Sequence, residues 1–309
     1  MLQCLMSHLD RRTFLWGLLG LAGAQLGCGA PGTATPTVGP LPFDRRRAWG
    51  YLLRQVAFGP RVPGTAPHSR CRDFLLRELR ATLGSASPQD FSFQGVQMCN
   101  ILSQYHGGGE DHVLLCAHWD TRPRADNERD PDRRRLPIPG ANDGASGVAV
   151  LLEIAHALQV LRPPIRVGFA LFDGEDWGPD EASMYLGSRH YASTLPQGRP
   201  SWGVLLDMVG DRALRIPREG FSEEMARAVN DRVWAAARLA GHGDVFVEER
   251  GASILDDHLP LLRRGIPVVD VIDFDYPHWH TLRDDPSACR PHSLEVVGRT
   301  ILTALTREL

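Results

Sequence analysis

Cysteine, net charge and long apolar runs are all scarce in this sequence, and each shortage excludes a class of protein. Of six cysteines in 309 residues, those after residue 28 lack the close spacing of a structural zinc site, so they are either an oxidised pair or buried thiols. The formal net charge is -3 and no basic stripe is present, so we expect no nucleic-acid partner. The apolar stretch near the start falls short of the ~20 residues that a membrane span needs.

The first 42 residues differ from the rest of the chain. Residues 1–28 place Arg11 and Arg12 before a short apolar stretch, which is typical of an export signal of the twin-arginine kind. Cys28 follows a glycine as a lipoprotein cleavage cysteine does, so a lipid tether at Cys28 is expected, with ordinary cleavage or an uncleaved anchor as the alternatives. Residues 29–42 are rich in proline, glycine and threonine and predict a linker. The protein is therefore expected in the periplasm or cell envelope.

Residues 43–309 are long enough for one α/β domain with a substantial core, and they contain no internal repeat. Apolar residues at helical spacing predict helices at 45–56, 69–83, 144–158, 221–240, 259–264 and 293–305. Apolar runs predict strands at 96–103, 113–117, 165–172, 203–206 and 266–272. Strands that alternate with helices of this length predict a twisted, mainly parallel sheet with helices on both faces.

Two of the predicted helices have recognisable core stripes. The helix at 144–158 is predicted to be amphipathic, with one buried face formed by Val148, Leu151, Leu152, Ala155 and Leu158. The helix at 221–240 is predicted to bury Met225, Val229, Val233 and Trp234. These faces are expected to pack against the sheet.

Acidic and histidine side chains arrive repeatedly where a predicted strand ends. They are His118, Asp120, Asp143, Glu175, Asp176, Asp207 and His280. Because the carboxyl ends of parallel strands converge on one crevice, these side chains are expected to meet there. Imidazole and carboxylate ligands in one compact group indicate a catalytic zinc site.

The number of metal ions is left open by the residues themselves. Two ions bridged by Asp143, or one ion with the spare groups as hydrogen-bond partners, would both use the candidate ligands His118, Asp143, Asp176, Asp207 and His280. Asp120 lies two residues after His118, on the same side of the strand, and could orient its ring. Glu175 directly precedes a ligand, so it is the candidate general acid and base. His258 is expected to be structural.

A charged, proline-rich segment at residues 121–139 interrupts the alternation of strands and helices. We interpret it as a solvated loop. Its position between two candidate ligands allows the alternative of a lid or of a rim that contacts substrate.

The ordered set of motifs resembles a zinc aminopeptidase family. The motifs are His118-Trp119-Asp120, Asn142-Asp143-Gly144-Ala145-Ser146-Gly147, Glu175-Asp176, Asp207-Met208-Val209-Gly210 and His280. Within that family the chain is similar to the glutaminyl-peptide cyclotransferases, through Gly59 to Thr65, Tyr185 to His190, Asp256 to Val268 and Trp279-His280-Thr281. Asp176 departs from the animal cyclases, which have glutamate there, and the stretch that follows it also differs from theirs.

This resemblance implies a monomeric enzyme that converts the N-terminal glutamine of peptides or proteins to pyroglutamate and releases ammonia. One zinc would be held by Asp143, Asp176 and His280. Glu175 would transfer the proton, supported by an acidic network of Asp207 and Asp256. Trp279, with Tyr276, would form an apolar wall of the glutamine pocket.

Two other functions are weighed against the cyclase. In a two-zinc aminopeptidase, Glu175 would activate a metal-bound water, and His118 with Asp207 would complete the second metal site. A binding protein without activity would be expected to lose the base or a ligand, and this chain retains all of them.

Overall fold

The fold is taken from a computed structural model, which describes residues 41–307. The predicted export signal, Cys28 and the linker up to residue 40 lie outside the described residues. Within residues 41–307 no helix is both long and apolar enough to cross a lipid bilayer.

Helices and strands alternate over most of the described chain. The helices are α1 (Arg45–Ala57), α2 (Ala66–Leu83), α3 (Ala145–Leu161), α4 (Leu186–Thr194), α5 (Gly220–Met225), α6 (Arg227–Leu239), α7 (His258–Leu262) and α8 (Pro291–Thr306). The strands are β1 (Ser87–Phe93), β2 (Val96–His106), β3 (His112–His118), β4 (Arg166–Phe172), β5 (Trp202–Asp207), β6 (Ile216–Arg218), β7 (Phe246–Arg250) and β8 (Val268–Ile272).

Six strands form the central sheet in the order β1-β2-β4-β3-β5-β8. The pairs β4/β3, β3/β5 and β5/β8 are parallel, whereas β1/β2 and β2/β4 are antiparallel. The predicted α/β architecture is confirmed, and the antiparallel strands are confined to one edge. Strands β6 and β7 form a separate two-stranded sheet.

Both faces of the sheet are covered. On β3, Leu115 joins the core that includes α1, α2, α3, α6 and α8, while Leu114 and Cys116 join a second core with residues of α4 and α7. This alternation follows from the two-residue period of a strand. It explains why the run through β3 is apolar on both sides and therefore easily recognised as a buried strand.

The predictions for two helices are corrected by the structure. Helix α3 is buried around its whole circumference from Ala145 to Ala155, so it is not amphipathic. The segment predicted as one helix at 221–240 divides at Ala226 into α5 and α6, and Met225 is 50% exposed rather than part of the core. The predicted core residues Val229, Val233 and Trp234 are buried.

The cysteines of the described chain are all buried and unpaired. They are Cys71, Cys99, Cys116 and Cys289. Of the two alternatives for these residues, the structure has buried thiols.

Candidate active site and metal centre

The site forms at the carboxyl edge of the parallel strands. His118 is the last residue of β3 and Asp207 the last of β5, and β3 pairs with β5 in parallel. Asp143 precedes α3, Asp176 follows β4, and His280 follows β8. All five side chains are buried, and the structure brings them together as the strand-end pattern predicts.

One group of ligand atoms comes from Asp143, Asp176 and His280, within 4.8 Å of one another. His280 Nε2 lies 3.4 Å from Asp176 Oδ1 and 3.7 Å from Asp143 Oδ2. Asp176 Oδ2 is buried and accepts no hydrogen bond from the described residues. A buried carboxylate oxygen without a partner is costly unless it binds a cation, so this group has the features of a metal site.

A second group comes from His118, Asp143 and Asp207, whose ligand atoms also lie within 4.8 Å. His118 Nε2 lies 3.1 Å from Asp143 Oδ1 and 3.2 Å from Asp207 Oδ1. The two oxygens of Asp143 therefore face different groups. This arrangement has the geometry of a bridging carboxylate, and it is compatible with one ion or two.

Asp120 connects the strand end to the acidic pair. Its carboxylate accepts hydrogen bonds from the backbone N–H groups of Glu175, at 3.2 Å, and of Asp176, at 3.3 Å. Its Oδ1 also lies 3.5 Å from His118 Nδ1. Asp120 therefore holds the loop that carries the general base and a ligand, in addition to lying beside the imidazole.

Arg122 is a site residue that the sequence interpretation missed. Its Nη1 donates to Asp176 Oδ1 at 2.6 Å, it pairs with Asp126, and its side chain is buried. The solvated-loop interpretation of residues 121–139 is wrong for this part, because Arg122, Asp126 and Asn127 line the cavity. Asn127 is joined to the loop before helix α8 by its backbone N–H, which donates to His280 O at 3.1 Å. The missed signal was the alternation His118-x-Asp120-x-Arg122 on one side of an extended chain.

Glu175 is buried at the cavity wall, beside Asp176. Burial, together with the negative charge of Asp176, raises the pKa of Glu175 well above its ordinary value. A carboxyl group with a raised pKa can hold a proton near neutral pH and also release it, as a general acid and base must.

More carboxylates lie behind Asp207. Asp256 lines the cavity, and burial with the charge of Asp207 raises its pKa well above the ordinary value. Asp270, on β8, is fully buried, and burial with the charge of Asp256 raises its pKa in the same direction. Asp270 is a second member of the site that the sequence interpretation did not identify, because its position inside an apolar strand gives no functional signal.

The cavity encloses about 460 Å³ and reaches both groups of ligands. The indole of Trp279 lines it and packs against His280, with ring centroids 4.0 Å apart, and against Phe274, at 4.9 Å. Three lining residues have left-handed backbone conformations, namely Tyr185 (φ 57°), Met208 (φ 48°) and His280 (φ 53°). Such conformations are unfavourable for residues with a Cβ and concentrate at functional sites.

Tyr276 does not line this cavity. Its ring is buried, and its hydroxyl donates to Asp284 Oδ1 at 2.8 Å. Asp284 in turn accepts hydrogen bonds from the backbone N–H groups of Asn142, at 2.8 Å, and Asp143, at 3.3 Å. The structure therefore places Tyr276 behind the loop that carries Asp143, rather than in the wall predicted for it.

Comparison with known proteins identifies the family. Residues 100–305 match peptidase family M28. The chain belongs to this family. The resemblance inferred from the motifs is confirmed.

Relatives of this M28 protein have two kinds of name. The bovine glutaminyl-peptide cyclotransferase-like protein is 27% identical over 320 residues, covering 89% of this chain and 81% of that protein. A glutaminyl cyclase of Bacteroides thetaiotaomicron, solved with N-acetylhistamine, is 37% identical with a TM-score of 0.82, covering 86% of this chain and 99% of that one. A leucine aminopeptidase precursor from the same species is also 37% identical, with a TM-score of 0.84, covering 88% and 100%.

Membership of M28 implies zinc, and the residues of this chain fit it. Zinc binds imidazole nitrogen and carboxylate oxygen, and the group Asp143, Asp176 and His280 offers both types from three separate loops. Arg122 occupies Asp176 Oδ1, which leaves Oδ2 as the free ligand atom. The M28 protein therefore has a complete three-residue site for a catalytic zinc.

Proposed function

We propose that this M28 protein is a glutaminyl-peptide cyclotransferase, which acts on the N-terminal glutamine of peptides or proteins. The product would be pyroglutamate, with ammonia released. Relatives of this name match most of the chain, and a glutaminyl cyclase structure is similar over nearly its whole length.

The observation that carries the proposal is the position of Trp279. Its indole forms an apolar wall directly beside His280, and Phe274 supports it from behind. A glutamine side chain is short, with an amide at its end. An apolar wall beside the zinc site can pack against its methylene groups while the amide carbonyl points to the zinc ligands.

The reaction needs a positioned amine and a polarised carbonyl more than it needs water. When bound to Asp143, Asp176 and His280, zinc would polarise the side-chain amide carbonyl of the glutamine. The α-amine nitrogen forms a bond to that carbonyl carbon, and the bond from the carbon to the amide nitrogen breaks. Glu175 takes a proton from the amine and returns it to the departing nitrogen, which leaves as ammonia.

Asp207 and Asp256 would assist Glu175 without reacting themselves. Asp207 Oδ1 is held by the backbone N–H of Met208 at 2.8 Å and lies 3.2 Å from His118 Nε2. Asp256 adjoins the same cavity. The negative charges of this network favour the protonated form of Glu175 at the moment when ammonia leaves.

A zinc aminopeptidase is the second candidate, and one observation favours it. The group formed by His118, Asp143 and Asp207 offers a second metal site that shares Asp143 with the first. A hydrolase of this kind would use two ions, and Glu175 would activate water. We propose one zinc for the cyclase. We also propose that the protein is exported, tethered through Cys28, and monomeric.

One experiment separates the two candidates. The purified, zinc-loaded protein is given a peptide that begins with glutamine and, separately, the same peptide beginning with leucine, and products are identified by mass spectrometry. Loss of one ammonia from the glutamine peptide, with the leucine peptide intact, is the expected result. Release of the first residue from either peptide would contradict the proposal and establish the aminopeptidase.

A further inference from the structure

A second, smaller cavity of about 260 Å³ adjoins the active-site cavity. Four residues contribute to both cavities, namely Ala252, Ile254, Ile272 and Phe274. The two cavities are therefore continuous along one wall. Nothing in the proposed reaction at the zinc site uses the smaller one.

The walls of the second cavity are held firmly by backbone contacts. Gly251 N–H donates to Arg218 O at 2.7 Å, and Gly220 N–H donates to Ala252 O at 2.8 Å. A Cβ at Gly251 would lie only 2.9 Å from Pro217 Cγ, so glycine allows this close approach. The cavity is thus a fixed feature of the fold.

Beneath it, Glu219 ties three segments together. Glu219 Oε1 accepts from the backbone N–H of Ile254 at 2.9 Å and from that of Phe221, also at 2.9 Å. Glu219 Oε2 accepts from the Ser222 backbone N–H at 2.6 Å and lies 3.2 Å from His258 Nε2. Because its oxygens are fully occupied, Glu219 fixes the cavity floor and is not free to bind a ligand.

The substrate chain must leave the active-site cavity next to this second cavity. With the glutamine side chain directed to the zinc ligands, its backbone lies at the cavity mouth. One side of the mouth is held by Asn127, which donates through Nδ2 to Trp279 O at 3.2 Å. The other side presents the half-exposed rings and chains of Phe274 and Leu255, and Phe274 also lines the second cavity. An extended chain advances at most ~3.6 Å per residue, so the residue after glutamine is the first to reach this side.

The charges around the second cavity favour a cation. Arg215 is paired with Glu249, and Arg250 is paired with Glu224. Asp275 is exposed and forms no ion pair with any residue in the described part of the chain. The uncompensated charge at the rim is therefore negative, above walls formed by proline, alanine, isoleucine and phenylalanine.

We propose that the second cavity is a subsite for the residue that follows the N-terminal glutamine, and that it selects lysine or arginine there. A long basic side chain places its methylene groups against the apolar walls and its charge near Asp275. This inference rests on the proposed cyclase function and adds the substrate class that the enzyme prefers.

The test compares peptides that differ only at the second residue, Gln-Lys, Gln-norleucine and Gln-Glu, each followed by the same neutral sequence. An exposed ion pair of 0.2–1 kcal/mol corresponds to a kcat/KM ratio of about 1.4 to 5 for lysine over norleucine, and we expect a ratio in this range, with glutamate below both. In Asp275→Asn the lysine-to-norleucine ratio should fall to about 1. Asp73→Asn, a change at an exposed aspartate on α2, is the matched control and should keep the wild-type ratio.

A second variant tests the cavity independently of charge. Ala252 is exposed and lies on the wall that both cavities share, so Ala252→Trp should obstruct the passage between them. We expect kcat/KM for the Gln-norleucine peptide to fall more than that for glutamine amide, which has no second residue. Equal losses for both, or a wild-type lysine-to-norleucine ratio of 1, would overturn the subsite. If glutamine amide and all peptides are left unconverted by the wild type, it is the cyclase function that fails.

Discussion

Glu219 gives a stability prediction whose size can be worked out from its contacts. Burial alone would raise its pKa, but the hydrogen bond and charge of His258 and the donors of Ser222 and Ile254 lower the pKa of Glu219 from 4.5 to about 2. A shift of about 2.5 units corresponds to about 3.4 kcal/mol of stabilisation by the ionised form. Glu219→Gln removes the charge and turns an amide toward N–H donors, so we expect a loss of about 3 kcal/mol at pH 7.

The pH dependence gives the sharper test. Because the pKa of Glu219 is lower in the folded than in the unfolded state, its contribution is complete above pH 4.5 and is lost as the pH falls toward 2. Urea unfolding of wild type and Glu219→Gln, from pH 7 to the lowest pH at which both fold, measures the difference. Glu224→Gln, at an exposed ion pair, is the control and should change stability by less than about 1 kcal/mol. A difference at pH 3 as large as at pH 7 would refute the role of the Glu219 charge.

Four further changes test the site. Glu175→Gln should lower kcat by a factor of at least about 100 while zinc content, measured by atomic emission, stays unchanged; appreciable turnover would exclude Glu175 as the essential base. Trp279→Ala should lower kcat/KM for glutamine peptides about tenfold or more, because the apolar wall is lost, and unchanged kinetics would remove Trp279 from the pocket. Arg122→Gln should weaken zinc affinity about 10- to 100-fold in a competition titration with a chelator, because Asp176 loses its partner. Tyr276→Phe should cost about 1 kcal/mol in urea unfolding with KM unchanged, since its hydroxyl contacts Asp284 and not the cavity; a large rise in KM would return Tyr276 to the substrate pocket.

The sequence predicted best those parts of the fold that are buried on both faces. Strands β3, β4, β5 and β8 are continuous apolar runs, and their ends are marked by charged residues. The missed strand β1 is a polar edge strand, joined to β2 by a two-residue turn at Gln94 and Gly95 with positive φ at both positions. Such a strand depends on pairing with its neighbour, so its own composition carries little signal.

The same distinction applies to the site. His118 and Asp207 could be located because each terminates a strand, and that position determines where the side chain lies. Arg122 could not, because its function depends on the contact with Asp176, 54 residues away in the sequence. Tyr276 was placed with Trp279 by closeness in sequence, but the chain turns between them, where Trp279 N–H donates to Tyr276 O at 3.3 Å. Closeness in sequence predicts a shared wall only where the backbone is regular.

The second group of ligands bears on how one zinc could suffice. Burial alone would lower the pKa of His118, but the charge of Asp207 and the hydrogen bonds of Asp120, Asp143 and Asp207 raise it well above its ordinary value. A protonated His118 lies between Asp143 Oδ1 and Asp207 Oδ1 and supplies a positive charge where a second ion would otherwise be needed. Two buried carboxylates are then compensated without another metal. The same side chains would serve a two-ion hydrolase if His118 lost its proton, so the protonation of one imidazole is the physical difference between the two proposed chemistries.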